Sequence, residues 1–361
     1  MKFGLLGFPK VGKTSLFNIL TGAGVAVDKY ATATGQSHIG VAKVIDPRVD
    51  RLARMFHPQK TTYAQFEFLD VQGVQKGEAK ESVSLKDMRN VDAIAHVVRA
   101  FRDEEIVHSE GTIDPRRDIE TMNIELVLAD LDVAQRRLER LQLNLKKAKN
   151  KEDELELPIM KRCLEALERE QPIRDLDLRS EELKRIRGFA FLTAKPLLLI
   201  VNLDEKDASR VATAAEDDSL QDWTGRQKTA VCAISAKVEE EIARLEPADA
   251  RAFLDDLGLH EAARDRVIHA GFRLLGLIQL LTVGEDECRG WAIPAGTRAP
   301  QAAGAIHTDI ERGFIRAEVV AFEDLVTAGS LPAAREKALL RSEGRDYVVQ
   351  DGDVINFRFN V

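Results

Sequence analysis

The chain is poor in cysteine, with three among 361 residues, and in large aromatics, with two tryptophans and three tyrosines. Cys163, Cys232 and Cys288 stand far apart, without the paired spacing of a zinc site or the density of a disulfide framework. A reducing, cytoplasmic setting is the expectation. No apolar run is long enough to span a bilayer, so no membrane insertion is expected. The opening residues MKFGLLGF run directly into a glycine motif and lack the layout of a cleavable signal. Excess positive charge is missing as well. The net charge is −8, so DNA is not an expected partner and any RNA contact needs a local basic surface.

What the chain does contain is the pattern of a soluble α/β protein long enough for two or three domains. Apolar runs recur as KFGLLGF, AQFEFLDV, AIAHVVRAF, PLLLIVN and KTAVCAIS, separated by helical stretches. Their near-continuous apolarity suits strands covered on both faces, as in a parallel sheet. Between the third and fourth runs, Val127, Leu131, Ala134, Leu138, Leu141, Leu145 and Ala148 repeat in alternating steps, the stripe of a coiled-coil-like helix. A second helix is expected from Pro158, packing Met160, Leu164 and Leu167 against the first, and Ser180 is expected to cap a third ending near Gly188. The reading is a helical hairpin at residues 128–192 inserted into an α/β domain formed by 1–127 and 193–276. Farther on, FIRAEVVAF and INFRFNV read as strands. The latter places Ile355, Phe357, Phe359 and Val361 on one face, after an Asp351-Gly352 turn that follows a strand over Tyr347–Val349. Residues 277–361 form a small α+β domain in this reading.

GFPKVGKT has the spacing of a phosphate-binding loop between a strand and a helix. Gly7 and Gly12 let backbone N–H groups turn toward phosphate oxygens, and Phe8, Pro9, Lys10 and Val11 complete the loop. Lys13 is expected on the β- and γ-phosphates, Thr14 on Mg2+, and Ser15 at the start of the helix. In LDVQG, Asp70 would reach the metal through water and the Gly73 N–H would meet the γ-phosphate. Thr34 is the candidate switch threonine that completes the metal shell, with Thr32 as its competitor. Gln72 and Gln75 flank Val74, which stands where Ras-like switches carry the water-orienting glutamine; either could take that task, though ordinary surface glutamines are the commoner explanation. Downstream, Asn202, Leu203 and Glu205 stand where a G protein reads its base, and Ser235, Ala236 and Lys237 supply a second wall. His307, Asp309 and Glu311 suggest a metal only weakly, because no further ligand of suitable type is near; a structural or partner-binding loop fits better.

With these motifs in order, the sequence resembles the Obg-like ATPase family, the YchF proteins, over essentially its whole length. DPRRDIETMNIEL, LTAKPLLLIVN, ISAKVEEEIARL, APQAAGAIHTDIERGFIRAEVV and DYVVQDGDVINFRFNV carry the resemblance. It implies a G domain interrupted by a helical hairpin, a C-terminal TGS domain of ubiquitin-like β-grasp fold, ribosome association, and ATP preferred over GTP. Base chemistry agrees. A G-protein aspartate accepts from guanine N1–H and N2–H2, donors that adenine lacks, whereas the Asn202 amide can accept from N6 and donate to N7. The implied activity is slow ATP hydrolysis; a GTPase of the same architecture and a binding module with negligible hydrolysis are the alternatives. Arg136, Arg137, Arg140, Lys146, Lys147, Lys149 and Lys151 on the hairpin fit ribosomal RNA, or simply a solvated helix face.

Two departures touch catalysis. The family usually has Asn where this chain has Lys10. In several translation-type G proteins that Asn helps hold K+, so Lys10 either brings its own ammonium to that place or points to solvent. The segment after Gly73 is also shorter and poorer in glycine than the family's, which predicts a stiffer or partly helical switch.

Overall fold

The computed structural model describes residues 1–25, 37–77, 83–211, 213–214, 220–259 and 261–360. Its strands are β1 (Lys2–Leu6), β2 (His38–Val44), β3 (Lys60–Thr62), β4 (Ala64–Asp70), β5 (Ala93–Ala100), β6 (Leu197–Leu203), β7 (Thr229–Ile234), β8 (Leu277–Thr282), β9 (Glu287–Pro294), β10 (Phe314–Ala321), β11 (Arg341–Glu343) and β12 (Asp353–Phe359). The chain forms two compact units, Met1–Ala42 with Glu67–Leu274 and Lys43–Phe66 with Leu275–Val361.

The first sheet runs β2-β4-β1-β5-β6-β7, with β4, β1, β5, β6 and β7 mutually parallel. The five apolar runs of the sequence are these five parallel strands. Ile94, Ala95 and Val97 on β5 and Leu198, Leu199 and Ile200 on β6 are fully buried, as expected of central strands covered on both faces. Between β5 and β6 the helix Pro115–Lys147 runs for 33 residues, roughly 50 Å at 1.5 Å per residue. It starts earlier than the hairpin boundary at 128. Asp114 caps it by accepting the Arg117 N–H at 3.1 Å, and Pro115 suits its first turn.

The returning helix, Lys151–Glu168, also starts earlier than read, leaving Pro158 in its interior. Asn150 accepts the Glu152 N–H at 3.0 Å, and Glu152, Asp153 and Glu154 complement the helix dipole. These N-terminal signals outweigh the one backbone hydrogen bond that the proline removes. Val127, Ala134 and Leu141 are buried with Met160, Cys163 and Leu167, while Leu131, Leu138 and Leu164 pack at the margin. Ala148, the last member of the stripe, lies past the helix end and is exposed. Ser180 opens the third helix rather than capping it. The cap position is Arg179, whose N–H is taken by Glu182 at 2.8 Å.

The second sheet runs β11-β10-β12-β8-β9-β3, with β12 parallel to β8 and antiparallel to β10. Lys43–Phe66, placed in the nucleotide-binding domain from sequence, belongs to this unit. β3 pairs with β9, and Val49 and Leu52 of the helix Pro47–Phe56 enter a core with Leu281, Cys288, Val320, Leu325 and Val354. Arg48 reinforces the packing, donating to Asp46 and, at 2.8 Å, to Asp351. Tyr347–Val349 is not a strand against β12. It bonds to residues 297–299 instead, because Asp353 closes the turn by accepting the Gln350 N–H at 2.8 Å and the Tyr347 hydroxyl at 2.7 Å. Ile355 and Phe357 are buried as the alternation predicts, Phe359 is exposed, and Val361 lies outside the described residues. Among the described residues, no helix is long and apolar enough to cross a membrane.

Candidate nucleotide-binding site

β1 brings the chain to the carboxyl edge of the parallel sheet, where open α/β folds bind their ligands. Residues 7–12 turn there before the helix Lys13–Thr21. Gly7 has φ +150°, and a Cβ on it would stand 2.5 Å from the Val97 carbonyl oxygen. Gly12 has φ +95°, and a Cβ there would collide with the Asn202 amide. Lys10, between them, is exposed and left-handed at φ 63°. That conformation costs a residue other than Gly, Asn or Asp ~1 kcal/mol.

The Lys13 side chain folds into the loop and donates to the carbonyl oxygens of Gly7 at 3.2 Å and Phe8 at 2.9 Å. Burial lowers its ammonium pKa to about 8, against the opposing pull of Asp70. Thr14 donates its hydroxyl to Asp70 Oδ2 at 2.9 Å. Burial raises the Asp70 carboxyl above the usual range, although Lys13, Thr14 and His38 pull it down. Its second oxygen, Oδ1, is buried without a hydrogen-bond partner. A threonine hydroxyl beside an orphaned carboxylate oxygen is a hard donor pair that fits Mg2+ once phosphate and water complete the shell. Among the described residues, no cluster of three His, Cys, Asp or Glu side chains could hold a metal alone. His307 instead caps a short helix by accepting the Asp309 N–H at 3.2 Å. Thr32 and Thr34 lie outside the described residues.

Gly73 lies directly on the phosphate loop, where a Cβ would be 2.7 Å from the Pro9 nitrogen. The next residue, Val74, is buried and donates its N–H to the Gly7 oxygen at 3.2 Å. Gln72 and Gln75 are exposed on either side. Farther along, Val83–Met88 is a helix, as the glycine-poor sequence after Gly73 predicts.

At the other end of the site Asn202, 3 % exposed, spans two loops. Its Nδ2 donates to the Val11 oxygen at 3.1 Å, and its Oδ1 accepts the Ala236 N–H at 3.0 Å. Each of those atoms keeps a second hydrogen-bonding position. Glu205 forms an ion pair with Lys237, which raises the Lys237 pKa. Ser235 Oγ is buried with no partner. Asp204, in the same loop, accepts the Arg102 N–H at 3.0 Å and the Lys206 N–H at 3.3 Å, and these bonds lower its pKa. Its position before a short helix was the available signal.

A phosphate loop on a parallel sheet, an aspartate beside its threonine, and an Asn joining loop to base wall define a P-loop nucleotide-binding protein of the G-domain class. Residues 2–152 match the family MMR_HSR1, described as 50S ribosome-binding GTPase, and residues 277–360 match YchF-GTPase_C, described as a protein of unknown function. The Ribosome-binding ATPase YchF of Bacillus subtilis is 41% identical over 362 residues, 99% of each chain. Its Escherichia coli namesake is 42% identical over 366 residues, 100% of this chain and 99% of that one. The solved structure of the Schizosaccharomyces pombe YchF GTPase aligns with a TM-score of 0.83 and 30% identity, covering 99% of this chain and 97% of that one. The chain belongs to the YchF family.

Proposed function

We propose that this protein is a ribosome-associated switch that binds ATP in preference to GTP and slowly hydrolyses ATP to ADP and phosphate. The observation that carries the base preference is the pairing of Glu205 with Lys237. Guanine selection needs a carboxylate free to accept from N1–H and N2–H2; here Glu205 is engaged by Lys237, and Asp204 accepts the Arg102 and Lys206 amides. The second positions on Asn202 Nδ2 and Oδ1 suit adenine N7 and N6. Lys13 exchanges its contacts with the loop carbonyls for the β- and γ-phosphates. Thr14 and Asp70 are the residues that would hold Mg2+, which supplies charge neutralisation between those phosphates. Val74 in place of a water-orienting glutamine supports a slow rate. Competition of unlabelled ATP and GTP for one fluorescent analogue tests the reading, and GTP binding tenfold tighter than ATP would overturn it. Single-turnover hydrolysis separates the ATPase from a binding module.

Ribosome association rests on the names of the relatives and on the hairpin. Arg136 pairs with Asp132, and Arg137 with Glu156, so these two guanidinium groups are already engaged. Arg140, Lys146, Lys147, Lys149 and Lys151 are exposed at and near the tip. Changing Lys146, Lys147 and Lys149 to Glu should weaken co-sedimentation with ribosomes and flatten its salt dependence, by roughly one unit of slope per lost phosphate contact. An unchanged slope would leave the lysines as a solvated face. The second unit is read as a TGS domain. The order β9-β8-β12-β10-β11, with the first and last strands in sequence parallel at its centre, supports that reading.

A further inference from the structure

The segment that follows β4, at residues 73–77, is held at both ends. At its start, Gly73 rests on Pro9 and the Val74 N–H donates to Gly7. At its far end, the Gly77 N–H donates to Glu125 Oε1 at 2.7 Å. Glu125 is 3 % exposed and projects from the 33-residue helix. Gly77 has φ +86° with open space around the missing Cβ, so glycine here serves the left-handed turn at the contact. Lys76 adds a more exposed ion pair to Glu110 at 3.6 Å.

The helix that carries Glu125 is itself fixed one turn farther on. Buried Asp130 accepts the Leu192 N–H at 3.1 Å, the Thr193 N–H at 2.7 Å and the Thr193 hydroxyl at 2.8 Å. Arg89 donates to Asp130 Oδ1 and to the Ala129 oxygen, both at 3.0 Å. Glu125 therefore stands on a post tied to the segments entering β5 and β6. Its neighbours along the buried helix face are Met122, Leu126 and Ala129, where an apolar side chain would serve packing better. A carboxylate at this place is useful for the amide it holds, through a charge-assisted bond stronger than a neutral one.

We propose that Glu125 is a positioning residue for hydrolysis: by holding the Gly77 amide it fixes the chain that follows Gly73 at the γ-phosphate end of the site. The inference rests on the ATPase reading above. In this role Glu125 works through the Gly77 amide and the backbone of residues 73–77 rather than on nucleotide or metal directly. Nucleotide binding, which depends on residues 7–15 and 202–237, is independent of it.

The test uses the full chain and three variants, E125A, E125D and E125Q, measured for binding of a fluorescent ATP analogue, single-turnover ATP hydrolysis and amide hydrogen exchange. E125A, and E125D with its shorter reach, should bind within about threefold of the wild type yet hydrolyse about tenfold more slowly. Exchange of the 73–77 amides should accelerate in both. E125Q keeps an acceptor of the same reach and should recover the rate to within about threefold. A folded E125A or E125D with unchanged rate would overturn the proposal, as would an E125Q as slow as E125D. Parallel loss of binding and rate would also overturn it, marking Glu125 as merely structural. Should E125A fail to fold, E125D against E125Q decides. A wild type that hydrolyses neither nucleotide defeats the ATPase reading, and with it the catalytic part of this inference, whatever the amide exchange.

Discussion

The phosphate end and the base end of the nucleotide site are built from different materials. At the proposed phosphate end the loop is mostly backbone, with Gly7 and Gly12 setting the turn and Lys13 as the buried charged side chain. At the base end one buried amide, Asn202, ties the phosphate loop to Ala236, while the Glu205 carboxylate is paired with Lys237. Backbone construction makes the first region indifferent to which base is bound. Side-chain construction makes the second adjustable, since a few substitutions re-aim a carboxylate without disturbing the turn. Affinity and selectivity are thereby separable.

The sharpest way to break that division is Lys13→Ala, which should cost about three orders of magnitude in affinity for ATP and GTP alike, because phosphate charge goes uncompensated. Equilibrium binding of both nucleotides checks it; a selective loss for one base would contradict the comparison. Asn202→Ala comes next. It removes the link between loops and, on the proposed reading, the base contact, so a loss of about a hundredfold for each nucleotide is expected. The double change Leu203→Lys with Glu205→Asp should move the ATP-to-GTP affinity ratio about tenfold toward GTP while leaving Lys13-dependent binding intact.

A pH titration sharpens the phosphate side. Free Lys13 has a pKa of about 8, and bound phosphate raises it, so binding takes up a proton wherever the free lysine is neutral. Affinity should be flat below that pKa and fall by about tenfold per pH unit above it. Calorimetry in two buffers of different ionisation enthalpy would detect the proton. In the nucleotide-free protein the unfolded lysine binds its proton more tightly, so this group's contribution to stability rises with pH between the folded pKa and the ordinary lysine value of 10.5. The smallest expected effect belongs to Lys10→Asn. Asparagine tolerates the left-handed φ better, so the variant should be more stable by about 0.5 kcal/mol in thermal unfolding. If the Lys10 ammonium replaces K+, the same variant becomes slower and newly dependent on K+ over Na+; an unchanged rate would place Lys10 in solvent.

Much of this site was legible because its signals are local. Gly7 and Gly12 mark positive φ, the apolar runs mark buried strands, and the repeat from Val127 to Leu141 marks a helix face. Other features were hidden for a physical reason. Pro158 reads as a helix start because proline favours the first turn, but Asn150 and the acidic residues after it nucleated the helix earlier. Leu203 and Glu205 alone do not say where the carboxylate goes.

The sequence by itself determined the turn conformations and the period of each element, since φ preference and hydrophobic spacing act between neighbours in the chain. Only the tertiary structure decided which distant groups meet. Glu205 finds Lys237, Asn202 finds Val11 and Ala236, and Lys43–Phe66 completes the second unit beside β9. Those pairings follow from burial and strand order, and side chains far apart in sequence carry no local trace of the partner that burial will give them.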